Sequence, residues 1–248
     1  MAGTSRVHLT EPVDVLAFGA HPDDVELSAG GTLAKLAAAG KRCAVVDLTR
    51  GELGTRGTAE TRDQEASHAA DILGLVHREN LALADGFFSE DEASLRAVIS
   101  AVRRMRPTLV LANALHDRHP DHGRGASLVA RACFLAGLVK VETGTAMAPE
   151  GPWRPRAVYH YIQDYDRTPD VVMDITGHLD TKMAAILAYK TQFHNPASSE
   201  PETPISSPEF LAHVRGRAVT FGRPVGFEAG EGFEVARPVG VASLLDLH

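Results

Sequence analysis

Two near-identical polar tetrapeptides, His21-Pro22-Asp23-Asp24 and His119-Pro120-Asp121-His122, each lie just beyond a short apolar run, and this repeat constrains the fold more than any other feature. The first follows residues 13–19 (VDVLAFG) and the second follows residues 108–112 (TLVLA). A third polar stretch, 49–58 (TRGELGTRGT), follows the apolar segment 42–48. In an open α/β sheet the C-terminal ends of the strands form the ligand crevice, so clusters distant in sequence converge there.

The segments between these runs read as helices. Residues 27–39 have helical composition with Gly40 as a natural stop, and 58–73 form a second helix capped by Thr58 and closed by Gly74. A weaker strand is expected near Leu81. Ser89 and Glu92 read as a capping box before a helix at 93–105, Pro107 breaks the pattern, and a helix at 125–138 follows the 108–112 strand. Beyond the Pro/Gly-rich stretch 148–155 come strand-like runs at 157–162 and 171–175 and a helix at 179–193. The last helix, 208–221, has Ser207 as cap, Pro208 in its first turn and Gly222 beyond its end. This alternation predicts an α/β, Rossmann-like, mostly parallel sheet with helices on both faces. One domain over residues 1–248 is expected, with 1–147 as the core carrying the site and 148–248 completing the fold and pocket. Residues 193–207 read as a surface loop, with a mobile lid as the alternative.

Charge narrows the function. The 25 Lys plus Arg against 32 Asp plus Glu give a net charge of −7, which offers no broad cationic field for nucleic acid and favours a small-molecule substrate. No apolar run approaches the roughly 18 residues of a membrane span, and the first 20 residues lack an apolar leader segment. Cys43 and Cys133 stand 90 positions apart in apolar surroundings, suggesting neither a disulfide framework nor a CxxC pair. A cytoplasmic protein is the expectation.

Each tetrapeptide offers a metal ligand at its first and fourth positions, with a rigid proline and an extra carboxylate between. Two histidines and one carboxylate suit Zn²⁺ and leave a place for water, the pattern of a catalytic site. For one such cluster, helix-capping aspartates and solvated histidines would explain the residues as well. Two clusters at strand ends favour the metal. The glycines of 49–58 match neither GxGxxG nor a phosphate-binding loop, so a nucleotide site is disfavoured.

Four segments, AHPDDVELSAGGTLAKL, DLTRGELGTRGTAETR, NLALADG and DRHPDHG, resemble the LmbE/PIG-L family of zinc-dependent N-acetylglucosaminide deacetylases, and within it the bacillithiol-pathway enzymes acting on N-acetylglucosaminyl-malate. The similarity continues through YHYI (159–162), VVMDIT (171–176) and EGF (231–233). The resemblance implies His21, Asp24 and His122 as ligands of Zn²⁺ or another divalent metal. It also implies Asp23 as general base, His119 as acid or oxyanion stabiliser, and Asp121 as the group tuning a histidine. Relatives with a tyrosine before the second motif differ from this chain, which reads Asp117-Arg118 there. Arg62, Arg118 and Arg56 are expected to receive the carboxylates of malate. Another N-acetylglucosaminide, such as a chitooligosaccharide, is the alternative substrate, and a noncatalytic metal- or sugar-binding module the alternative class. A homo-oligomer, as large as a hexamer, is also implied.

Overall fold

The computed structural model describes residues 11–145 and 148–247; residues 1–10, part of the segment read as lacking a leader, lie outside them. Strands β1 (Val15–Gly19), β2 (Cys43–Asp47), β3 (His77–Asn80) and β4 (Leu109–Ala112) alternate with helices α1 (Asp24–Ala38), α2 (Ala59–Leu73) and α3 (Glu92–Met105). Helix α4 (Pro120–Ala136) and a small hairpin, β5 (Gly144–Thr145) and β6 (Ala148–Pro149), lead to β7 (Ala157–Tyr161) and β8 (Val171–Asp174). Helices α5 (Leu179–Leu187) and α6 (Pro208–Gly222) precede β9 (Gly230–Val235).

Seven strands form one sheet in the order β3-β2-β1-β4-β7-β9-β8. The first five of these are mutually parallel, with Val15 beside both Cys43 and Leu109. Strand β9 runs antiparallel to both β7 and β8. The chain leaves β1 toward β2 on one side and returns to it as β4 on the other. That reversal makes a crevice between β1 and β4, where α/β proteins bind ligands. The HPDD and HPDH clusters flank it.

All five residues of β1 are buried, which is why the run is apolar without alternation. Leu16 and Phe18 pack on one face with Val98, Val102 and Leu128 of α3 and α4. Val15 and Ala17 pack on the other with Val25, Ala29 and Leu33 of α1. Among the described residues no helix is long and apolar enough to cross a membrane.

Several boundaries differ from the sequence expectation. Helix α1 begins at Asp24 and α4 at Pro120, so both polar tetrapeptides enter helical first turns instead of remaining loops. Proline suits that position because its missing N–H has no partner to lose. Gly125 does not delay α4, since a Cβ there would stand 3.1 Å from Leu48; the glycine lets helix and sheet approach. Asp91, not Ser89, caps α3 by accepting from Ser94 N–H at 2.9 Å, while Ser89 donates to Asp91. The strand expected near Leu81 ends at Asn80. Helix α5 stops at Leu187; the apolar positions beyond it, Tyr189 and Phe193, are buried from irregular backbone. Strand β9, which joins β7 to β8, had no counterpart in the sequence reading.

Candidate metal centre and active site

The turn after β1 sets the first cluster. Asp23 sits at the N-cap of α1 with φ 110°, a region non-glycine residues rarely occupy and one often retained at functional sites. The backbone N–H of His21 donates to Asp24 Oδ2 at 2.9 Å, fixing the turn. Asp24 is then surrounded: His21 Nδ1 lies 3.5 Å from Oδ2 and His122 Nε2 lies 3.1 Å from Oδ1. Asn113, just past β4, donates to Oδ2, and Gln163, just past β7, donates to Oδ1, both at 3.0 Å.

The outer nitrogens of the two imidazoles are also held. His122 Nδ1 meets Asp117 Oδ2 at 2.5 Å, and Asp117 Oδ1 accepts the backbone N–H groups of Asp164 and Tyr165 at 3.0 Å. His21 Nε2 lies 3.1 Å from Asp85 Oδ1 and 3.4 Å from Asp121 Oδ2. Asp121 in turn accepts from Gly86 N–H and Arg124. The His119 ring stands edge-on to His21, 4.6 Å between centroids, and stacks on His122 at 5.1 Å.

Burial pushes His122 down, but the charges of Asp24 and Asp117 outweigh it and lift its pKa to about 9. His21 is likewise raised despite burial, by Asp121, Asp24 and Asp85. Desolvation raises Asp23 to about 7, with Arg62 opposing. His119 is held below its ordinary value by burial and by the charges of His21 and His122. The cluster thus stores excess negative charge that attracts cations, protons included. Donor atoms of His21, His119 and His122 fall within 4.8 Å of one another, as do those of His21, Asp85 and Asp121. Imidazoles on either side of a buried carboxylate, each oriented by an outer carboxylate, fit a divalent metal by the chemistry of the donors.

A cavity of 290 Å³ opens over this cluster, lined by Asp23, Arg62, Asp85, Arg118 and His119 among others. The three arginines expected at the substrate differ. Arg118 lines the cavity, half exposed, with Nε donating to Asp164 at 2.9 Å. Arg62 also lines it, but its Nη atoms are committed to Gly51 O, Pro22 O and Asp23 Oδ2, the last at 3.1 Å. Gly51, at φ 64°, makes this seat possible, since a Cβ there would fall 2.0 Å from Arg62 Nη1. Arg56 is outside the cavity lining: buried, it donates to Ser198 Oγ at 2.8 Å and approaches Glu200, tying down the loop read as a surface segment or lid.

Sequence reasoning missed Asp85, Asn113, Asp117 and Gln163 as members of the site. Asn113 and Gln163 stand just beyond β4 and β7, and Asp85 and Asp117 farther along the loops after β3 and β4, so the strand-end rule that found the histidines reaches them too when every strand and its whole loop are included.

The sequence model of the PIG-L family, described as GlcNAc-PI de-N-acetylase, matches residues 16–133. The solved structure of the conserved protein TT1542 from Thermus thermophilus superposes with a TM-score of 0.83 at 34% identity, covering 94% of this chain and 98% of that one. Diacetylchitobiose deacetylase of Thermococcus kodakarensis is 28% identical over 72% of this chain and 70% of its own length. The 4-oxalmesaconate hydratase of Pseudomonas putida is 29% identical over 75% of this chain and 76% of its own length. Sequence and fold agree over 94% of this chain with the solved TT1542 structure, and the chain belongs to the LmbE/PIG-L family of deacetylases.

Proposed function

We propose that this chain is a metal-dependent hydrolase that removes the acetyl group of N-acetylglucosaminyl-malate, releasing acetate and the free amine. Deacetylation of an N-acetylglucosamine-containing substrate is the part the comparisons support. Malate is our addition, favoured over the equally compatible chitooligosaccharide by the arginines lining the cavity. The reading is carried by one observation: a buried Asp24 between two imidazoles, with Asp23 beside it in the same cavity.

His21, Asp24 and His122 would hold the metal, with Zn²⁺ the best match to the donors. When bound, such an ion polarises a carbonyl and makes water more acidic. Asp23, positioned by Arg62, accepts the proton of the attacking water. His119 faces the same cavity; its N–H would donate a hydrogen bond to the oxyanion, and in its protonated form it would give a proton to the departing amine. Asp121 and Asp85 orient His21, as Asp117 orients His122. On this reading residues 1–147 carry the chemistry and 148–248 complete the pocket of one domain.

Acetate release from N-acetylglucosaminyl-malate and diacetylchitobiose, before and after chelation and Zn²⁺ repletion, tests the proposal. We expect metal-dependent turnover of both, with higher kcat/KM for the malate glycoside. Chelator-insensitive turnover would remove the metal, and preference for chitobiose would remove malate. Metal retained in His21→Ala, Asp24→Ala and His122→Ala would overturn the ligand set.

A further inference from the structure

Arg217 on α6 lines the cavity that contains Asp23 and His119. Among the described residues its guanidinium has no hydrogen bond or ion pair, and Nη1 is sealed from solvent without a partner. Two arginines elsewhere in the fold are different. Arg78 grips Asp47 through two nitrogens and also reaches Glu26. Arg103 donates to four backbone carbonyls, those of Ala136, Leu138, Val141 and Glu150. Arg62, in the same cavity, leaves its Nε unpartnered but makes three other hydrogen bonds, so a guanidinium with none calls for an explanation.

The nearby carboxylates do not supply the missing partner. Asp164 is engaged by Arg118, and Asp117 by His122 and two backbone N–H groups. Glu231 accepts from Lys182 and from Gly31 and Thr32 N–H. Asp166 adds to the negative field around Arg217 without bonding to it. Burial pulls the pKa of Arg217 down and this field opposes the shift. Its Nε and Nη2, unlike Nη1, are not sealed, so on a residue that lines the cavity they are the nitrogens left for a ligand.

We infer that Arg217 is a specificity-determining residue that binds a carboxylate of the substrate's aglycone. The inference rests on the deacetylase reading above and assigns the anion contact to a residue that reading does not use. A guanidinium matches a carboxylate through two parallel N–H bonds, and a site that leaves such a charge unpaired selects against a neutral group in its place. A phosphate would offer related chemistry.

The test compares N-acetylglucosaminyl-malate, N-acetylglucosamine 1-phosphate and methyl N-acetylglucosaminide with wild type, Arg217→Met and Arg217→Lys. We expect Arg217→Met to lower the malate-to-methyl ratio of kcat/KM by about 10- to 100-fold, mainly through KM. Arg217→Lys should recover part of the loss, since the charge returns without the fork. Equal losses on all three substrates would make Arg217 structural, and a loss confined to the phosphate would reassign the anion; either overturns the inference. A binding measurement separates it from the deacetylase reading. Free malate should raise the melting temperature of wild type and not of Arg217→Met, whichever bond the enzyme cleaves. An equal rise in both proteins would overturn the role of Arg217 even if deacetylation stands.

Discussion

The half of the sheet built from β1 to β4 and the half built from β7, β9 and β8 treat charge differently. In the first, the charged groups of the candidate metal site each hold several partners, although Arg62 Nε and Asn113 Oδ1 have none: Asp24 contacts two histidines, an asparagine and a glutamine from beyond β7, and Arg62 is tied to Asp23 and two carbonyls. The second half contributes the Lys182–Glu231 pair, sealed against α1, but leaves Arg217 without a partner at the cavity. Chemistry that must move a proton needs fixed distances, and side chains held by several partners supply them. Recognition of a variable aglycone needs a group whose partner arrives with the substrate. Parallel strands that end at one crevice serve the first need, and a helix packed across the crevice serves the second.

The sharpest way to break this division is at Asp23. Asp23→Asn preserves shape yet cannot accept a proton, so turnover should fall by about 10²- to 10⁴-fold with metal content unchanged. Acetate release by metal-replete protein, with metal measured by elemental analysis, gives the comparison. Near-normal turnover would mean that the first half binds without doing the proton chemistry.

The two halves were also unequally legible. Strand ends followed by histidine and aspartate marked the crevice, and the parallel order of β1, β2 and β4 follows from helices lying between them. The later half was harder to read because β9 pairs with β7 and β8 by crossing antiparallel between them, a choice no local pattern announces. Glu231 illustrates the difficulty. It stands in an unremarkable EGF triplet, yet its carboxylate takes two backbone N–H groups of α1 some 200 residues earlier. The arginines show the same limit: sequence placed Arg56, Arg62 and Arg118 near one crevice, but only side-chain partners separate a loop anchor, an aspartate holder and an arginine engaged by Asp164.

If the second half is joined to the first by the Lys182–Glu231 pair, breaking that pair should cost stability before it costs chemistry. Lys182 Nζ lies 2.6 Å from Glu231 Oε1, and both side chains are buried. Lys182→Met leaves a buried carboxylate with only its backbone donors. We expect a loss of about 3 kcal/mol in urea unfolding, the lower end for breaking a buried pair. A change below about 1 kcal/mol, within the range of exposed pairs, would show that packing alone holds the halves together.

A smaller effect is expected at Asp117, within the first half. As a carboxylate it accepts from His122 Nδ1–H, so that Nε2, 3.1 Å from Asp24 Oδ1, is the nitrogen that would take the metal. Asp117→Asn presents an amide N–H to Nδ1 and favours the wrong tautomer, so metal affinity should drop about 10- to 100-fold. Competition with a metal-chelating dye measures it. Unchanged affinity would make Asp117 a holder of the 164–165 backbone and nothing more.

The least effect belongs to Arg118, which sits between the two halves and divides them most finely. It lines the cavity, yet its Nε is engaged by Asp164 and its side chain is 48% exposed. Water and salt screen a charge so placed, and an exposed pair of this kind contributes only about 0.2–1 kcal/mol to stability. Arg118→Ala should therefore leave the fold intact and lower kcat/KM for N-acetylglucosaminyl-malate by about 10-fold at most, below the effect of Arg217→Met. Steady-state kinetics at low and high salt checks the assignment, because a screened contact weakens as salt rises. A salt-insensitive loss near 100-fold would place anion recognition on the loop after β4, beside His119, and chemistry and recognition would then share the same half of the sheet.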